Sequence, residues 1–538
     1  MFSDLTKGLS ICSVSSSFVA RLPNDASYPG THGRIHLARG ASYLIFQTLG
    51  SALVYIIAFV ILARIISTKQ MGILTILQLV NATCLIFGTL SVQQGVIKFV
   101  AENSKRNTRN LAAAAYYQAL RFTLLMSTFI AAGIFLEASH LAFFLLGDLS
   151  YVSLFQVLAL DIFLDTGAIP VVTGAMLGLQ MFKETSIVSL IVGGIMRQVM
   201  IIGLILILKS FMGLVYGWLF SDAVVVIVSF ILLFRVLGAP TFDFPLRKLL
   251  GYSGPLTLGS IAGYAQTWFD RAILVFFVPI SALGIYYAAW TAFSILLGLS
   301  SALGSMLFSA YSSFQVSGDR RRESEAVRLA VRYSNFILLP LALGLLAVAR
   351  PALALFVGES YASGTIPLMI LSAAFAFGIV GFTALSPVLL AREMTRLFAI
   401  ITIVSVVVGL GIAYLLLPTL GIVGASISRG FVIVAFAALA VFVVDKGRSI
   451  QFEFKTILKT LVASLVMVAI IFAVELFRYG KLLLPVYVAI GALVYLLMLR
   501  ILKAVNRDDT ALIRDFLGER FALLSDALSW ILLPGRDQ

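Results

Sequence analysis

The chain has 538 residues, 60% of them hydrophobic and 12% charged, with a mean hydropathy of +1.04. Those values lie outside the balance of a water-soluble domain and point to an all-α polytopic membrane protein. The net charge of +14 would suggest a nucleic-acid partner in a soluble chain, but here it is spread over short loops that face anionic headgroups, so membrane lipids and no nucleic acid are expected.

In chain order, residues 1–38 are Ser-rich and mixed in polarity, too polar to span and without the pattern of a signal peptide; they are expected to form a cytoplasmic tail. From Gly40 onward, apolar segments of bilayer-spanning length follow one another with short polar breaks. The expected spans are 40–66, 72–97, 111–136, 151–178, 185–208 and 213–234, then 252–278, 284–310, 331–350, 362–390, 397–417 and 421–444. Two more, 457–477 and 482–502, bring the total to about 14 transmembrane helices. With the N-terminus inside, 29 Lys and Arg residues fall on inner segments and only 6 on outer ones. The positive-inside rule then predicts a multi-pass protein of the cell membrane with both termini cytoplasmic.

The two halves resemble each other. Gly72 answers Gly284, Thr185 in KETS answers Thr395 in REMT, and Gly213 and Gly217 in FMGLVYG answer Gly421 and Gly424 in PTLGIVG, all at offsets near 210 residues. One six-helix unit used twice has parallel topology, with its substrate site expected between the lobes. The expected domains are therefore an N-lobe over 39–237, a C-lobe over 248–446 and a helix pair over 455–503. Beyond Lys503, Ile513, Phe516, Leu517, Phe521, Leu524, Leu528 and Ile531 recur at helical spacing, which predicts an amphipathic cytoplasmic tail over 504–538.

Cys12 and Cys84 lie far apart, His32, His36 and His140 form no ligand-spaced group, and no Walker-type loop occurs. No metal, cofactor or direct ATP hydrolysis is expected. The candidate functional residues are charges inside the spans, because a charge at membrane depth is costly and faces a protein interior or a watery cavity. Asp270 and Arg271 stand side by side in the seventh span, with Trp268 and Tyr264 on the arginine's helical stripe and Gln266 on that of Asp270. Arg197 in the fifth span and Arg429 in the twelfth are the other candidates for a cationic cavity; each equally suits a structural ion pair. Asp161 and Asp165, four apart in the fourth span, share one face. Two such anions repel, so a cation sits beside them or one carries a proton. Arg197 is the expected partner, and together with Asp222 the pair reads either as a proton or sodium coupling site or as an ion-pair network that stabilises the lobe.

Several segments resemble one family. They are Gly40-Ala41 opening the first span, Leu62 to Arg64 ahead of Gly72, and Asp270-Arg271 thirteen residues before GIYYAA at Gly284 to Ala289. Further on come SGDRRR (Ser317 to Arg322), LFVGESYASG (Leu355 to Gly364) and LPTLGIVGAS (Leu417 to Ser426). In order and spacing, over residues 39 to about 450, the chain is similar to the polysaccharide-transporter branch of the multidrug/oligosaccharidyl-lipid/polysaccharide exporter superfamily. It departs at the turn after Arg64, which reads IISTKQMG in place of the usual Leu-Gly-x-x-x-Gly form, and in the tail before Gly40.

The resemblance implies a V-shaped pair of six-helix lobes plus two C-terminal helices, and alternating access without covalent chemistry, so not an enzyme. It implies a lipid-linked oligosaccharide as substrate, moved from the inner to the outer leaflet, and polysaccharide-assembly proteins as partners. Arg271, Arg197 and Arg429 would then meet the substrate's diphosphate, since the planar guanidinium donates paired hydrogen bonds and stays charged. Asp270 would belong to the same site, and Trp268 and Tyr264 would stack on sugar or simply pack. The alternatives are a cation-coupled multidrug antiporter of the same superfamily, which a cationic cavity disfavours, and a membrane-embedded glycosyltransferase or ligase, which the short outer loops disfavour.

Overall fold

The computed structural model describes residues 31–106, 108–317, 319–446 and 453–505. The N-terminal tail up to residue 30 and nearly all of the amphipathic segment expected after Lys503 lie outside them. Among the described residues every regular element is helical and no strand occurs, as a bilayer demands of a chain that must satisfy its backbone polar groups internally.

The first half of the chain forms α1 (Thr31–Ile65), α2 (Thr68–Thr89), α3 (Val92–Lys105), α4 (Arg109–Leu136), α5 (Val152–Gly167), α6 (Ile169–Gly178), α7 (Phe182–Leu208) and α8 (Met212–Leu237). Helix α1 takes in the last eight residues of the expected tail. The expected span over 72–97 is divided, because Leu90 and Ser91 adopt positive φ between α2 and α3. Helix α7 widens to π geometry over Val188–Met196.

Helix α9 (Leu246–Phe277) leads onward to α10 (Ile280–Ser317), α11 (Arg320–Ala347), α12 (Ala349–Phe356), α13 (Glu359–Ala391), α14 (Thr395–Lys446), α15 (Phe454–Phe477) and α16 (Leu484–Ile501). The eleventh and twelfth expected spans form the single run α14, broken where Gly421 takes φ +52. Among the described residues, 12 helical runs are long and apolar enough to cross a membrane. One of these is α14, twice a span in length, while α9, polar with Ser, Thr, Gln and the Asp270-Arg271 pair, is not counted. The expected figure of about 14 differs by these two helices alone.

The chain divides into two compact units: one holds the residues up to Ile66 with Ile76–Tyr264, the other Ser67–Thr75 with Ala265 onward. In the first unit small side chains let α4 approach its neighbours: Ala112 to Ala115 are buried with Val96, Phe99 and Met176. In the second, Tyr311, Val327, Leu385, Phe436 and Ala440 form the corresponding core. Large apolar residues also face outward, Leu476 and Phe477 at 88% and 91% exposure; in water such surface would aggregate, and in lipid it is the expected exterior.

The internal repeat is visible in backbone detail. At Gln180 and at Glu393 a non-glycine residue takes φ near +58 (59 and 57). Around each, the same bonds recur: Met181 N–H to Met176 O and Met394 N–H to Leu389 O, both at 2.9 Å. Gly147 and Gly358 likewise stand at corresponding positive-φ positions. The glycine matching refines to Gly213 with Gly424: a Cβ on Gly213 would strike the Leu204–Ile205 backbone, and one on Gly424 the Leu416 carbonyl. Gly421, the expected match, is the kink residue instead. Within the second unit, Gly72 and Gly284 serve one close approach, since a Cβ on either would overlap the carbonyl oxygen of Ile280 or of Thr68.

Candidate functional site

Among the described residues, each unit holds a charged cluster inside its helical spans. In the second unit, Asp270 and Arg271 are 1% and 3% exposed and Arg429 is 4% exposed. Asp270 Oδ1 accepts from Arg429 Nη2 at 2.6 Å and Oδ2 from Arg429 Nε at 3.0 Å, a paired contact between α9 and α14. The Tyr286 hydroxyl on α10 donates to Oδ2 at 2.5 Å. Such a fork-on-carboxylate arrangement is among the stronger charge-assisted contacts, and in a dry interior it is what makes the charges tolerable.

Arg429 also donates to the carbonyls of Thr267, at 3.0 Å, and Gln266. Arg271 donates to the Thr267 carbonyl, and its Nε lies 3.8 Å from Asp270 Oδ1. A helical carbonyl keeps a second lone pair after its i+4 bond, so this turn of α9 can hold two guanidinium groups. Aromatic faces complete the enclosure: Trp268 lies 3.9 Å and Trp290 4.8 Å from Arg271, while Phe269 and Trp290 lie 4.4 and 4.7 Å from Arg429. Two guanidinium groups share one carboxylate, which leaves the cluster one positive charge in surplus. Beside it opens a cavity of about 730 Å³, with Arg429, Gln266, Thr267 and Trp290 at its lining, the hydroxyls of Ser300, Ser301, Ser305 and Ser386, and Phe308, Phe382 and Phe436. Its size and its mix of an apolar wall with a few polar groups suit an amphiphilic ligand.

Tyr264, on the same stripe of α9, belongs to the first unit, where its hydroxyl meets Thr83 Oγ1. The first unit's own cluster joins α5, α7, α8 and α2. Arg197 Nη1 donates to Asp222 Oδ1 at 3.2 Å, and Asn81 Nδ2 to Asp165 Oδ2 at 3.0 Å. The partner of Arg197 is thus Asp222, in place of the expected Asp161–Asp165 pair, because Asp222 on the adjacent α8 lies within direct reach. Asp161 is fully buried, and neither of its carboxylate oxygens has a hydrogen-bond partner.

Sequence reasoning listed the charges but passed over Tyr286, Trp290 and Asn81. Tyr286 and Trp290 are four apart, one helical turn, in and just after the GIYYAA segment. Asn81 is a polar residue at mid-span in α2, a signal as readable as the carboxylates.

The fold is similar to that of solved transporters. A structure titled lipid II flippase MurJ, inward closed conformation, aligns with a TM-score of 0.66 at 14% identity over 88% of this chain and 99% of that one. An inward-facing multidrug resistance MATE family transporter of the MOP superfamily aligns with a TM-score of 0.59 at 16% identity, over 73% and 93%. At such identities the likeness is one of fold. In sequence, the chain is 26% identical over 251 residues to the probable low-salt glycan biosynthesis flippase Agl15 of Haloferax volcanii, which is 46% of this chain and 53% of that protein. The match therefore spans about half the length of this curated relative. The profile of the family described as polysaccharide biosynthesis protein matches residues 61–366, more than half of the chain, and the chain belongs to that family.

Proposed function

We propose that the protein is a flippase that moves a lipid-linked (polyprenyl-diphosphate) oligosaccharide from the inner to the outer leaflet by alternating access, catalysing no covalent step. The observation that carries this reading is the buried Asp270–Arg271–Arg429 cluster with its surplus positive charge beside a cavity of mixed polarity. A diphosphate answers that surplus, and the apolar wall suits the first units of a lipid chain. Family membership and the glycan-flippase relative from H. volcanii support the same class of substrate. Both termini would face the cytoplasm of a cell-membrane protein, and polysaccharide-assembly proteins would supply and collect the substrate.

The membrane potential suffices as a driving force. One charge moved through 100 mV gains about 2.3 kcal/mol, so a substrate with about two negative charges gains roughly 4 to 5 kcal/mol on moving outward. The test is flipping of a fluorescent polyprenyl-diphosphate oligosaccharide in proteoliposomes that hold a potential but no pH or sodium gradient. Wild type should flip and Arg271→Ala should not, with both folded. No flipping by wild type refutes the substrate class, and unimpaired flipping by the variant returns Arg271 to a structural role.

A further inference from the structure

Three carboxylates and one guanidinium meet in the first unit, and their pairing leaves a specific gap. Asp222 Oδ1 is held by Arg197, whose guanidinium also lies 5.5 Å from the ring of Trp218, and Asp165 Oδ2 is held by the Asn81 amide. Asp161, 0% exposed, keeps both oxygens unpartnered, and Asp222 Oδ2 and Asn81 Oδ1 are unpartnered too. Helices α5 and α8, which carry Asp161 and Asp222, pack against each other, and the two carboxyl groups act on each other electrostatically. Two carboxylates cannot bond each other, since neither has a hydrogen to donate. A fully buried carboxylate with no donor, beside a second carboxylate, is relieved by binding a proton.

The charged groups that act on Asp161 are Asp222 from α8, Arg197 from α7 and Asp165 from its own helix. Helix α2 brings only the neutral Asn81, and α4, packed along α5, adds no charge to the set. With all three carboxylates ionised the cluster would carry two uncompensated negative charges at membrane depth. One proton removes one of these charges and supplies a hydrogen to oxygens that otherwise have no donor. We propose that Asp161 and Asp222 bind one exchangeable proton, in a site of the first unit separate from the Asp270 cluster. Loss of that proton restores repulsion between α5 and α8, so the packing of these two helices depends on it. Any effect on transport rests on the function proposed above, whereas the proton site does not.

The test is infrared difference spectroscopy of the full chain in lipid, between about pH 5 and pH 9, reading the carbonyl stretch of a protonated carboxyl group. Wild type should show a carboxylic-acid band that disappears as pH rises. Asp161→Asn, an isostere of the protonated acid, should fold and lack that band, and Asp222→Asn should lose or shift it; Asp165→Asn should keep it. A band that persists unchanged across the range overturns the proposal in favour of a permanently neutral structural acid. Absence of any Asp161-dependent band overturns it outright. In the same vesicles, flipping by wild type should vary with pH at fixed potential and flipping by Asp161→Asn should not. Vesicles in which wild type flips nothing refute the transport reading, while the infrared arms still decide the proton site.

Discussion

Arg429 and Arg271 share Asp270 unequally, and the two alanine variants should separate accordingly. Arg429 makes both oxygen contacts to Asp270, at 2.6 and 3.0 Å, and donates to two α9 carbonyls. Arg271 stands 3.8 Å from the carboxylate and donates to one carbonyl. Removing Arg429 leaves a fully buried carboxylate with a distant cation, one hydroxyl and the Arg271 backbone N–H, and breaking a buried pair in this way costs about 3 to 5 kcal/mol. Removing Arg271 leaves the forked pair intact and should cost about 1 to 2 kcal/mol, mainly the carbonyl bond and the packing between Trp268 and Trp290. Each ~1.4 kcal/mol is tenfold in the folded-to-unfolded ratio, so the difference is measurable by thermal unfolding in detergent or by unfolding in graded denaturant. An Arg271→Ala protein as unstable as Arg429→Ala would refute the unequal sharing.

Tyr286→Phe removes the 2.5 Å hydroxyl donor to Asp270 and nothing else; a hydrogen bond to a charged group predicts a loss of about 1.5 to 3 kcal/mol by the same unfolding assays, and a loss below that range would mean that water or another donor takes its place. Gly72→Ala places a Cβ against the Ile280 carbonyl, a backbone atom that cannot step aside, whereas Gly254→Ala meets nothing within 4 Å. The first should destabilise by about 1 to 3 kcal/mol or abolish folded yield, and the second should be neutral or stabilise by about 0.5 to 1 kcal/mol, read as recovery of monodisperse protein on size-exclusion chromatography.

What the sequence determined by itself follows from the bilayer. A run of apolar residues must become a helix of fixed length, and loop charge sets its direction, so the helical class and nearly every span were legible without coordinates. Where they were not, local backbone conformation intervened: the left-handed Leu90 and Ser91 divide α2 from α3, and Gly421 joins two spans into one broken helix. The repeat was readable as well, because the glycines at close approaches have no substitute. The intramembrane charges could be listed as candidates for the same reason, since their cost makes them conspicuous.

Only the tertiary structure decided which charges meet. Pairing joins residues 159 apart, as with Asp270 and Arg429, and no periodicity along one helix carries that information. Arg197 thus turned to Asp222 and left Asp161 unpartnered, although the four-residue spacing of Asp161 and Asp165 was plain. Likewise Tyr264, Trp268 and Arg271 lie on one stripe of α9, yet packing assigns Tyr264 to one compact unit and the others to the second. Helical spacing selects a face; the neighbours packed against that face, drawn from the far end of the chain, determine its chemistry.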